Sequence, residues 1–228
     1  MHNIAVDLKN RDIRQRDIVP PDKLADVRAT VIGVGAVGRQ VALQLTAMGV
    51  PQLELVDFDD VGVENLACQG YWHGDLGDRK VDATAALCRH INPDVVLQAR
   101  YSRFRKSDKV GNCVFCCVDS IQTREWIWSG VESQVDFFVD GRMSAEVIRV
   151  VTASDPVSKV SYQGTLFASN EAHVGSCTAK STIFTGNICA GLMLSSFSKH
   201  LRGFPIDEDV CLNLLTNEMT VGVEQLAG

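Results

Sequence analysis

Apolar residues along this chain fall into short runs that alternate between two periodicities. Residues 27–34 (VRATVIGV) form a strand-like run, and residues 36–49 (AVGRQVALQLTAMG) then place Val37, Val41, Leu45 and Met48 at helical spacing until Gly49 ends the repeat. A second strand is predicted over residues 52–58 (QLELVDF). Asp78 is positioned to cap a helix with apolar positions Val81, Ala85, Leu87 and Cys88, and Asn92-Pro93 is its stop. Further strands fit residues 94–100, 112–119 and 136–141, with a helix over residues 120–131 between the last two. Short apolar strands alternating with helices predict an α/β fold, Rossmann-like and doubly wound, whose mostly parallel sheet has helices on both faces.

After Gly141 the pattern changes. Residues 145–154 read as another strand, whereas residues 155–176 are polar and rich in Ser, Gly and Asn without a clear period, a long crossover of the kind often tied to function. One long buried helix is predicted over residues 178–202, and a late antiparallel edge strand over residues 209–216. Composition narrows the class: 46% hydrophobic against 22% charged residues excludes disorder as the overall state. The formal charge of −6 is spread along the chain, with no basic tract of the kind that argues for nucleic acid or a membrane surface. The longest mostly apolar stretch, residues 183–194, is broken by Thr185, Gly186 and Asn187 and falls short of the roughly 18 residues a membrane span needs. The charged N-terminus does not read as a signal peptide, and the eight cysteines, most of them in apolar segments, predict a reducing, cytoplasmic setting. Cys113 and Cys116 form the one CxxC, followed by Cys117; lacking a second ligand pair, they are expected to be small buried residues and not a structural zinc site.

Gly33, Gly35 and Gly38 follow a predicted strand and open a predicted helix. In that context the glycines permit a tight turn, close approach of backbone to phosphate, and close packing of helix on strand. Asp57 lies 19 residues beyond Gly38 at the tip of the second strand, where its carboxylate can accept from ribose hydroxyls. This pattern serves NAD, FAD and ATP alike.

The segments LVDFDDVGVENLACQ, GDLGDRK and INPDV resemble, in order and spacing, the ubiquitin-activating-enzyme-like family, which includes the ThiF, MoeB and HesA adenylyltransferases, and the resemblance runs from about Arg11 to Leu201. It implies ATP and Mg2+ as cofactors and a small ubiquitin-like or sulfur-carrier protein with a Gly-Gly-type C-terminus as partner. Carried over by position, Asp57 is the ribose-binding acid, Asn65 the site asparagine, and Lys80 the lysine that holds the phosphates. Asp119 organises magnesium and the adenylate, although Ser120 stands where the family commonly has Asn. Asp59 is a further nucleotide contact, unless it is a solvated loop acid like Asp60 and Glu64. Arg11-Asp-Ile-Arg14-Gln15 matches an arm whose second arginine, Arg14, reaches the ATP of a partner subunit in a homodimer; Asp12 replaces the usual aromatic residue. One domain over residues 1–228 follows, with an arginine-bearing arm (1–26), a nucleotide-binding half (27–141), and the crossover, long helix and last strand (142–228).

Two positions depart from the family or add to it. Cys68 occupies the place of an arginine that contacts phosphate, so Arg14, Lys80 and magnesium must suffice, another cation such as Arg39 or Arg79 must substitute, or activity is reduced. Cys177, at the end of the crossover and before Thr178, matches the thioester cysteine of ubiquitin-activating enzymes; a helix N-terminus and Lys180 favour its thiolate, and His173 is a candidate base. The alternative is a buried cysteine at a helix start, and Cys68 is a second, weaker nucleophile candidate. Arg142 either lines the channel for the incoming tail or makes a structural salt bridge. The leading expectation is adenylation of the carrier's C-terminal carboxylate, without nucleic acid or membrane. The rivals are a tRNA-modifying dehydratase of the same family, a non-catalytic nucleotide-binding subunit of a heterodimer, and an NAD-dependent oxidoreductase, although hydride transfer explains nothing between Asn65 and Lys80.

Overall fold

In the computed structural model, which describes residues 11–166 and 181–222, the apolar runs become strands of one eight-stranded sheet. Strands β1 (Arg28–Ile32), β2 (Gln52–Asp57), β3 (Val96–Tyr101), β4 (Cys113–Cys116) and β5 (Phe137–Ser144) lie parallel in the order β3-β2-β1-β4-β5. Strands β6 (Val147–Ala153), β7 (Asp209–Asn213) and β8 (Glu218–Val221) continue from β5 antiparallel. The seven helices among the described residues are α1 (Pro21–Leu24), α2 (Ala36–Met48), α3 (Val63–Gln69), α4 (Lys80–Ile91), α5 (Ile121–Val131), α6 (Pro156–Gly164) and α7 (Ile183–Arg202). None of them is long and apolar enough to cross a membrane. β1 lies between β2 and β4, so chain connections leave its two sides in opposite directions, and a crevice opens at the carboxyl ends of β1 and β4.

The two faces of the sheet carry separate cores because successive strand residues point to opposite sides. Val31, Cys113, Phe115 and Phe137 meet Val41, Leu45, Val81 and Phe197 of α2, α4 and α7. Ile32, Val114, Cys116 and Phe138 meet Ile127, Trp128 and Tyr162 of α5 and α6. Cys113 and Cys116 therefore project from opposite faces and cannot ligate one ion together. Burial pushes both thiols up to about 12, as expected of inert packing residues.

Several elements differ from the sequence-based expectation. Asp78 does not cap α4: the helix starts at Lys80 without a side-chain cap, and the Asp78 backbone is consumed by loop bonds, its N–H donating to Asp75 and its carbonyl accepting from Val61. The crossover opens with a helix, α6, in which Asp155 accepts from Val157 and Ser158 N–H while Pro156 occupies the first position. Helix α7 begins at Ile183, capped by Thr182, so residues 181–182 precede it; residues 178–180 lie outside the described part. The late strand is shorter than predicted and turns back at Asn217, whose φ of 57° permits a reversal into β8.

Helix α7 crosses α2 at close range. A Cβ on Gly186 would lie 2.6 Å from the Ala36 carbonyl oxygen, whereas one on Gly191 of the same helix meets none of the described residues within 4 Å. Gly186→Ala is expected to destabilise by about 1–3 kcal/mol through forced separation of the two helices. Gly191→Ala should be neutral or stabilising by up to about 1 kcal/mol; urea unfolding of both variants measures the contrast.

Candidate nucleotide site

The turn after β1 exists in this form because two of its positions admit no side chain. Gly33 has φ +86°, and a Cβ there would sit 2.7 Å from the Cys117 carbonyl; a Cβ on Gly38 would sit 1.8 Å from the Gly33 carbonyl. The backbone thus lies directly on the end of β4. Gly35 is the N-cap of α2 and supplies no capping side chain, which leaves first-turn N–H groups for a ligand, and the Gln69 amide lies beside it.

Asp57, 8% exposed, binds this turn directly: one carboxylate oxygen accepts from Val34 N–H at 2.6 Å and the other from Asp59 N–H at 2.8 Å. Burial pushes its carboxyl up from the ordinary value, and the two amide donors oppose that shift. Each oxygen keeps further acceptor capacity for a ribose hydroxyl. Lys80, at the start of α4 and only 6% exposed, extends Nζ to 3.3 Å from the half-exposed Asp59 carboxylate. Asn65 on α3 spends its side-chain oxygen on Gly62 N–H at 2.8 Å, leaving the amide nitrogen as the group still to be satisfied. Asp119 is exposed just beyond β4, ahead of α5, which Ser120 caps through Thr123 N–H.

Gly33, Gly35, Gly38, Asp57, Asp59 and Lys80 therefore share one neighbourhood, and Asp119 leaves the adjacent strand at the same edge. Arg14 is not brought there. Arg11 donates to Thr46 and Gln15 to Met48, both at the far end of α2, so the exposed Arg14 is held at the opposite edge of the sheet. Thirteen helical residues correspond to roughly 20 Å of separation. Cys177, His173 and Lys180 lie outside the described residues. Cys68 turns back along its own helix, with Sγ 3.1 Å from the Glu64 carbonyl. Of the two cations that were candidates to replace the missing arginine, Arg79 stacks on the Tyr101 ring and Arg39 is buried.

Sequence reasoning missed Tyr71. Its hydroxyl, 2.7 Å from the Val34 carbonyl, donates to the turn and also approaches Thr84 at 3.2 Å. Burial raises its pKa to about 12, so it stays a neutral donor. A buried centre further along the sheet was missed as well. Asp140, fully buried, accepts from Arg124 Nε at 2.8 Å, Arg142 Nε at 2.7 Å and the Tyr162 hydroxyl at 3.1 Å. Arg142 also donates to Thr165 at 2.8 Å. Arg142 is thus a strut that ties the crossover to β5, and the salt-bridge alternative holds over the channel one.

The fold and site define a Rossmann-like α/β protein with a glycine turn, an acidic strand end and a lysine at the sheet's switch point. The ThiF family profile matches residues 10–222, and the chain belongs to the ThiF family. It is 32% identical over 120 residues to ubiquitin-like modifier-activating enzyme 5 of Caenorhabditis briggsae, a match covering 45% of this chain and 28% of that protein. It is 31% identical over 130 residues to molybdopterin-synthase adenylyltransferase of Salmonella typhimurium, covering 53% of this chain and 52% of that one. The chain thus matches about a quarter to half the length of these relatives. The crystal structure of E. coli MccB with AMPCPP and MccA superposes with a TM-score of 0.73 at 13% identity, over 94% of this chain and 71% of that one.

Asp140→Asn leaves the buried Arg124 and the partly buried Arg142 facing a neutral amide. It is expected to destabilise the fold by roughly 3–5 kcal/mol, read as a lowered urea midpoint.

Proposed function

We propose that this protein activates the C-terminal carboxylate of a small ubiquitin-like or sulfur-carrier protein by transferring AMP to it from ATP. The observation that carries this reading is the assembly of Asp57, Asp59 and Lys80 at the glycine turn of a ThiF-family chain. The named activities of the matched relatives support it. Asp57 receives the ribose, the open first turn of α2 and Lys80 receive phosphates, and Asn65 donates its amide hydrogens. The carrier carboxylate forms a bond to the α-phosphorus as the bond to pyrophosphate breaks, and the turn and Lys80 neutralise the charge that develops. The exposed oxygens of Asp119 suit a Mg2+ shared with nucleotide phosphates; such an ion, when bound, offsets phosphate charge. Cys177 is the proposed acceptor of the acyl group, its thiolate displacing AMP to form a thioester. The chain acts as a homodimer in which Arg14 serves the neighbouring site.

A second reading, adenylation of a group on RNA, draws on one feature that corrects the expectation of no basic cluster: the β3–β4 connection gathers the exposed cations Arg103, Arg105, Lys106 and Lys109 within an acidic chain. Arg103 lies 3.8 Å over the half-exposed Phe58 ring and Lys106 lies 4.2 Å over the exposed Trp126 ring, a mixture of charge and ring faces that suits unpaired bases.

Incubating the protein with ATP, Mg2+ and a panel of carriers ending in Gly-Gly should release pyrophosphate. Lys80→Ala should lower that rate roughly 100- to 1000-fold. A carrier adduct that reductant removes and Cys177→Ala lacks is expected in the same reaction. Pyrophosphate release with transfer RNA, and with no carrier, selects the second reading; release with neither overturns both. Mixing Arg14→Ala with Lys80→Ala, each nearly inactive alone, should restore up to about a quarter of wild-type activity, because one site per mixed dimer regains both residues. Absence of recovery in a demonstrated mixed dimer rules out Arg14 acting across subunits.

A further inference from the structure

One of the two cations that could replace the missing arginine lies buried beneath the glycine turn. Arg39, the fourth residue of α2, is 1% exposed. Its guanidinium carbon lies 4.1 Å from the Tyr71 ring centroid, one terminal nitrogen donates to Thr84 Oγ1 at 3.2 Å, and the other is 4.0 Å from Asp75. Among the described residues its Nε has no partner. A guanidinium has five N–H donors, and a buried one with a single side-chain hydrogen bond and a long ion pair is poorly satisfied. Burial of charge on such terms costs stability relative to an apolar side chain of similar volume. The charge therefore needs an explanation other than stability.

Its surroundings supply one. The Tyr71 ring on which Arg39 stacks carries the hydroxyl that donates to Val34 of the turn, and that hydroxyl is 3.4 Å from the carbonyl of Lys80. Arg39 is thus separated from the turn by one aromatic ring, in a region where water screens little. At position 68, where the family resemblance calls for a phosphate-contacting arginine, the chain has a cysteine directed at its own helix backbone.

We propose that Arg39 replaces that missing cation from beneath: it is a positioning residue that holds Tyr71 against the turn and imposes a positive potential there, favouring the polyphosphate of a bound nucleotide without touching it. The proposal rests on the nucleotide reading of the site. A potential acts on ligand charge, so it discriminates ATP from adenosine, whereas a loss of packing weakens both.

Calorimetric titration of the full chain with ATP and with adenosine tests this in wild type, Arg39→Met, Arg39→Lys and Tyr71→Phe, with circular dichroism as the check on folding. Arg39→Met should lose roughly tenfold or more in ATP affinity while adenosine affinity stays within about twofold, and Arg39→Lys should recover most of the loss. Tyr71→Phe keeps the charge but loses the bond to Val34, so both ligands should weaken and their ratio should persist. An ATP affinity unchanged in Arg39→Met, or ATP and adenosine weakened equally, overturns the proposal while leaving the nucleotide reading intact. Wild-type protein that binds neither ligand overturns both. Should Arg39→Met fail to fold, Arg39→Gln, which stays polar without charge, carries the same contrast against Arg39→Lys.

Discussion

The backbone of Val34 is held on both sides. Its N–H donates to Asp57 at the end of β2, and its carbonyl accepts from Tyr71, which stands between α3 and α4. A buried hydrogen bond to a carboxylate contributes roughly 1.5–3 kcal/mol, so this one residue couples the turn firmly to two separate parts of the chain. The coupling continues through Asp59, whose N–H occupies the second oxygen of Asp57 and whose side chain reaches Lys80. Tyr71, Val34, Asp57, Asp59 and Lys80 form one line of contacts, and a shift in any member moves the lysine. The glycines let the turn come down onto Cys117; the contacts of Val34 set where it stops.

A second polar centre steadies the other flank. Asp140 joins α5 through Arg124, α6 through Tyr162, and the segment after α6 through Arg142 and Thr165. With three donors on one carboxylate the charge is well compensated, and removal of a partner costs more than the pair contributes in net terms. The two centres stand on either side of the β1–β4 crevice. One orders the nucleotide turn, and the other orders the first residues of the crossover that leads toward Cys177.

The central strands were legible because strands buried on both faces read as unbroken apolar runs, and α2 was legible because Gly49 closes a clean helical period. Helix α6 was not, because Val157 and Val160 face solvent while Ser158 and Tyr162 face the core, which inverts the expected pattern. Only the Asp155-Pro156 pair marked its start. Strand β8 is exposed along its length and so shows no alternation to detect. In the site, residues set by spacing along the chain were found, whereas Tyr71, Thr84 and Arg124 act through partners distant in sequence. Arg142 was legible to the point of two alternatives, and the strand period favours the salt bridge: two residues from Asp140 on one strand, it shares that residue's face and pairs with it.

Charge at the crevice frames what a nucleotide must overcome. Asp57, Asp59 and Asp119 bring three carboxylates to this edge, and Lys80 already spends its charge on Asp59. Helix α3 offers the Cys68 thiol where another cation is expected, and Arg14 of the same chain is held at the far end of α2. A polyphosphate entering such a site must displace Asp59 from Lys80 or share the lysine with it, and it meets net repulsion unless positive charge arrives from elsewhere. The sources proposed above are a divalent ion on Asp119, an arm from a second copy, and the potential of Arg39 beneath the turn. On that proposal each source acts only when something else is in place, whether the ion, the neighbour or the stacked Tyr71, so that affinity for a nucleotide would be set by assembly and not by the motif residues alone.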